Sequence, residues 1–169
     1  MELTASRVQE LLEHELSVLT DHRVLKHIRR LVVPPSPVIR AWDYGAEGEA
    51  YPCWAVLSHV PSNTGIAYCA SGFGPKRPWG LVFLSGTEHR SIGMDSGWYE
   101  HFLDAYFESA ASTEIAIWRV FEQNGDPYPG SPLTEESDWE STWKEVERLR
   151  GSNPGVRYHC SQSVFRGET

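Results

Sequence analysis

The chain has 169 residues with 40% hydrophobic and 12% aromatic side chains, enough apolar surface for one core and too many aromatics for a disordered polymer. Its 23 acids against 15 Lys and Arg give a formal net charge of -8, the wrong sign for a phosphate backbone, so nucleic acid is not an expected partner. No apolar run approaches the roughly 20 residues that span a bilayer, and the start MELTASRVQELLEHELSVL carries acids where a signal peptide carries bases, so a cytoplasmic protein is expected with no membrane partner.

From Ala5 to Leu19 the residues Val8, Leu11, Leu12, Leu16 and Leu19 recur at helical spacing, with Glu10, Glu13 and Glu15 on the other face. That pattern predicts an amphipathic helix. Thr20 and Asp21 are able to cap a second helix with Val24, Leu25, Ile28 and Leu31 inside, which Pro34, Pro35 and Pro37 then terminate. Four short apolar runs follow, over 38–44, 51–60, 65–70 and 79–84, joined by Gly-, Pro-, Asn- and Ser-rich connections too short for crossover helices. They predict an antiparallel meander with one well-covered face.

Ser96 is placed to cap a helix through Ser109 that buries Trp98, Phe102, Ala105 and Tyr106. Glu114 to Phe121, apolar on both sides, reads as a central strand, and the three prolines of NGDPYPGSP mark irregular chain. A last helix runs from Thr134 to Arg150 with Gly151 at its end, and Val156 to Phe165 forms an edge strand. The order ααββββαβαβ, with strands clustered instead of alternating with helices, predicts one α+β domain over 1–169 with an antiparallel sheet of about four to six strands.

The search for catalytic motifs returns little. G-x-S-x-G, H-E-x-x-H and a phosphate-binding G-x-x-x-x-G-K-[ST] are absent, and the glycines of GFGPKRPWG sit beside Pro75 and Pro78, which lack the amide donors of a phosphate cradle. Cys53, in YPCWAVL, resembles the Cys-Trp step of papain-like and transglutaminase-like thiol enzymes, with His59, His89, His101 and His159 as possible bases. The Val and Leu around it fit a buried strand better. The wider pool for a scattered catalytic site is Cys53, His89, Asp95, Ser96 and His101.

Cys53, Cys69 and Cys160 are an odd count in a chain with a full core and contain no C-x-x-C, which argues for reduced thiols and against structural zinc. The seven histidines form no tight metal-binding pair, and no metal or other cofactor is expected.

Two surface features point toward protein binding. The helix TEESDWESTWKEVERLR sets Glu135, Glu136, Asp138, Glu140, Glu145 and Glu147 against Lys144, Arg148 and Arg150 alone, and Glu136, Glu140 and Glu147 are its candidate contacts for a basic partner. Acids in a first helical turn also complement the helix dipole, so a merely solvated face accounts for the same residues. The second feature is seven tryptophans, more than one core readily hides, with Trp79 in a proline-flanked loop and Trp98 beside Gly97 the best candidates for exposure.

The segment SIGMDSGWYEHFLDAYFES, residues 91–109, resembles the closing strand-then-helix element of the SUKH superfamily of toxin-immunity proteins. That resemblance implies a cytoplasmic bacterial immunity protein and assigns no functional residue. The leading expectation is therefore a non-enzymatic inhibitor that sequesters a basic toxin or another cationic protein. Two alternatives stand beside it: a small hydrolase or thiol enzyme near Cys53 and His89 or His101, and a small-molecule or peptide binder with a Trp-lined groove.

Overall fold

The computed structural model describes residues 3–41, 46–70, 76–85 and 97–164. Helix α1 spans Ala5–Ser17, and its N-cap Thr4 accepts the Arg7 amide on its side chain while Val8, Leu12 and Leu16 are buried at intervals of one turn. Asp21 does the same for α2, His22–Leu31, accepting the Arg23 amide and burying Val24 and Ile28. Both helices lie where the apolar spacing places them.

Strand β1, Val32–Ala41, leaves α2 without an intervening loop, six residues earlier than the sequence suggests. Its prolines are tolerated for two reasons. Pro34 and Pro35 fall in a register shift between the paired positions Val32↔Leu57 and Ser36↔Ala55, and among the described residues β1 is an edge strand with no strand paired on its outer side.

Strands β2 (Ala50–His59), β3 (Thr64–Tyr68) and β4 (Trp79–Phe83) continue as the expected antiparallel meander, and β5 (Trp98–Tyr99) extends it to the order β1-β2-β3-β4-β5. One face packs Val56, Ile66 and Trp79 against α1, α2 and helix α3 (Phe102–Phe107), which contributes Phe102, Ala105 and Tyr106. The other face is covered as well. Cys53, Ala67, Cys69, Val82 and Trp98 form a second buried cluster there, which corrects the expectation of a single well-covered face.

The helix expected from Ser96 also needs correction. Ser96 lies outside the described residues, Trp98 pairs with Gly80 in the sheet, and α3 begins only after His101. Its first amide is capped from elsewhere, because Glu15 of α1 accepts the Phe102 N–H at 3.0 Å.

The rest of the described chain forms a smaller layer. β6 (Trp118–Glu122) and β7 (Tyr158–Gln162) pair as a two-stranded antiparallel ribbon, with an isolated bridge from Phe121 to Pro127, and α4 (Trp139–Ser152) packs on it through Val146 and Leu149 over Val120 and Tyr158. The strand read as central is thus not in the main sheet. Residues Ala110–Glu114 take a 3-10 turn instead, in which Ser112 donates to the Phe107 and Ser109 carbonyls and Thr113 to Ala110, local bonds that compete with a strand ladder.

Helix α4 is capped by Asp138, whose side chain accepts the Ser141 amide, while Thr134 and Ser137 satisfy each other in a separate turn. Gly151 lies inside the helix, which ends at Asn153. Arg23 ties the layers together: its guanidinium pairs with buried Asp21 at 2.6 Å and donates to the carbonyls of Ala116 and Ser163.

Candidate functional site

Trp79 and Trp98 are 2% and 3% exposed, so neither is available to a partner. The cause is the sheet. Trp79 makes edge contacts with Tyr68 and Phe102 on the helical face, and Trp98 fills the opposite cluster over Gly80. Among the described residues the exposed indole is instead Trp139, which is 37% exposed and stacks on Trp143 at a centroid distance of 5.6 Å and an interplanar angle of 5°.

Trp143 is held from its other neighbour as well, since Arg150 places its guanidinium 5.1 Å from the ring centroid while donating twice to the Tyr158 carbonyl. Trp139, Trp143 and Glu147 recur every four residues and therefore share a helical face. Glu136, Glu140 and Glu147 are all exposed as expected. Glu140 is partly neutralised by Lys144 at 2.8 Å, and Glu145 by Arg148 at 2.6 Å. Glu135 and Glu136, just before α4, are exposed and close in sequence to Trp139.

Cys53 sits on β2, 1% exposed, with its thiol donating to the Tyr51 carbonyl. Its neighbour Cys69 and its burial push the thiol far above the usual range, so the thiolate a nucleophile requires is suppressed. His101 belongs to the helical face, with Nδ1 3.4 Å from Glu15, whereas Cys53 lies in the cluster on the sheet's other face. His89 and Asp95 lie outside the described residues. The structure thus does not bring Cys53 and His101 together, and all three cysteines are free.

The structure assembles another group that no sequence motif announces. His59 closes β2, Ser62 ends a 3-10 turn after it, His27 stands on α2, Tyr106 on α3, and Glu114 ends the turn before β6. Glu114 holds both histidines: Oε1 is 2.7 Å from His59 Nε2, and Oε2 is 3.4 Å from His27 Nε2. His59 Nδ1 lies 2.7 Å from Ser62 Oγ, and His27 Nδ1 lies 2.8 Å from the Tyr106 hydroxyl.

Burial raises the Glu114 carboxyl, yet the His59 and His27 contacts outweigh it and leave the group more acidic than usual. His27 is held below its ordinary range, chiefly by burial, and burial likewise pushes Tyr106 well up. The resting cluster is thus one carboxylate with a neutral His27 and a neutral phenol. His59 appears in the sequence only as one of several possible partners for Cys53. Nothing in the spacing of 27, 59, 62, 106 and 114 marks them as neighbours, because five separate elements bring them together.

Among the described residues no group of three or more His, Cys, Asp or Glu is arranged to hold a metal ion, and no helix is long and apolar enough to cross a membrane. Trp79, Trp98 and Trp118 are buried, whereas Trp54 and Trp143 are half-buried. A shallow open cleft lies between the end of α4 and β7, with Arg150, Arg157, Tyr158 and His159 along it. No family model, curated protein or solved structure matches the chain.

Proposed function

We propose that the protein is a binding module of the cytoplasm, an inhibitor or immunity-type protein that sequesters a basic protein partner on the α4 face. The observation that carries this reading is Trp139, a large rigid ring left in solvent at the most acidic end of a helix. An arginine or lysine of the partner stacks on Trp139, and Glu136, Glu140 and Glu147 draw it there. The resemblance of residues 91–109 to toxin-immunity proteins points the same way.

The partner, recovered by affinity capture from the native cell, is tested by surface-plasmon association rates across a salt series. Screening acts over about 10 Å at 0.1 M salt, so association of the parent is fastest at low salt. Glu136→Gln, Glu140→Gln and Glu147→Gln together slow association about tenfold at low salt and flatten its salt dependence, with melting unchanged. Trp139→Ala mainly raises the dissociation rate. Equal association rates for parent and triple variant at every salt concentration defeat the proposal.

A further inference from the structure

The hydrogen-bonded chain ending at Ser62 has a direction that its donors and acceptors impose. Tyr106 keeps its proton and donates it to His27 Nδ1, which leaves the His27 proton on Nε2, facing Glu114. Glu114 is a carboxylate and only accepts, so the His59 nitrogen 2.7 Å from it, Nε2, carries the proton. His59 Nδ1 is then a bare acceptor, and the group 2.7 Å from it is the Ser62 hydroxyl.

Ser62 is thus poised to give its proton to an imidazole whose other nitrogen is anchored on a carboxylate. With the Ser62 proton directed to His59, the Thr64 hydroxyl, 2.6 Å from Ser62 Oγ, is free to donate to the same oxygen, although either hydroxyl can donate in this pair. The longer contact of Ser62 Oγ with the His59 carbonyl, 3.3 Å, is the weaker outlet for the serine proton.

The setting is firm and accessible. His59 is 4% exposed and fixed on both ring nitrogens, while Ser62 is only half-buried. Asn63 beside it adopts a left-handed φ of 55°, held by its side-chain bonds to Ser85 and by the Leu84 amide on its carbonyl. Val60, in the same turn, is 76% exposed and offers an apolar contact.

We propose that Ser62 is an acyl-accepting nucleophile, with His59 its base and Glu114 the carboxylate that orients His59, acting on short, unhindered esters. This activity is separate from partner binding by α4. Ser62 Oγ bonds to the acyl carbon as its proton passes to His59 Nδ1. The carbon–oxygen bond to the leaving group breaks, and the imidazolium returns the proton to the departing alkoxide. Water then attacks the acyl-serine, gives a proton to His59, and releases a carboxylic acid as Ser62 recovers its hydrogen. His27 is a positioning residue that fixes the second oxygen of Glu114.

The test uses the full chain, a fluorophosphonate probe with peptide mapping of the adduct, and hydrolysis of p-nitrophenyl acetate. The expected result is one adduct, on Ser62, with hydrolysis abolished by Ser62→Ala. His59→Gln lowers the labelling rate by about 100-fold. Because His59 is buried and that variant is exposed to misfolding, Glu114→Gln, at a half-exposed carboxylate, is the second arm, with a loss of at least about tenfold and an unchanged circular-dichroism spectrum. An unmodified Ser62 in the folded protein overturns the proposal, and so does labelling of Ser62 at the parent rate in folded Glu114→Gln.

Discussion

Trp98 lies across Gly80 so closely that a Cβ at position 80 would stand 2.5 Å from the indole. The two are register partners between β4 and β5, so the ring covers the backbone of the neighbouring strand without a side chain beneath it. Gly80→Ala must displace a buried ring or part the strands, and a loss of about 1–3 kcal/mol is expected in urea unfolding. Retention of parental stability would show that the indole has room to move.

A second glycine carries the opposite sign. Gly151 is within α4, and a Cβ there meets nothing within 4 Å. Gly151→Ala therefore removes unfolded-state freedom at no steric cost, and a gain of about 0.5–1 kcal/mol is expected in the same assay.

The contrast between these glycines marks what the sequence discloses. The helices α1 and α2 are legible because apolar spacing and the caps Thr4 and Asp21 are local, and the meander because its connections carry turn residues. The start of α4 is misread because Thr134, Ser137 and Asp138 are all competent caps and only the folded turn decides among them. Trp98 reads as helical because its true determinant, Gly80, sits on another strand. The acids of α4 are visible from composition, but which tryptophan accompanies them depends on sheet packing. Glu114, His27 and His59 are less legible still, being joined only through tertiary contacts.

The thiols give a chemical test of the buried reading. Cys69 and burial push Cys53 up, and burial pushes Cys160 up to about 11, so little thiolate exists at neutral pH. Iodoacetamide should leave Cys53 unmodified in the folded protein and alkylate all three cysteines after denaturation without reductant. Intact-mass spectrometry distinguishes these states. Rapid native alkylation of Cys53 would restore it as a candidate nucleophile.

The last prediction concerns pH, and the sign follows from the two groups around Glu114. His27 is depressed below its ordinary 6.5, first by burial, with Arg30 and His59 adding to that and Glu114 opposing it. The unfolded chain therefore takes up this proton before the folded one does. Stability from His27 is full above pH 6.5 and declines as pH falls below it, until the folded histidine protonates too, with a slope of at most about 1.4 kcal/mol per pH unit. Glu114 is also depressed, so its contribution is full above 4.5 and is lost as pH falls through its folded value. Urea unfolding from about pH 8 to about pH 2 should show two successive declines. His27→Gln flattens the upper decline and weakens the lower, which His59 still supports, whereas Glu114→Gln removes the lower. If both variants keep the parent's profile, the cluster does not couple protonation to folding.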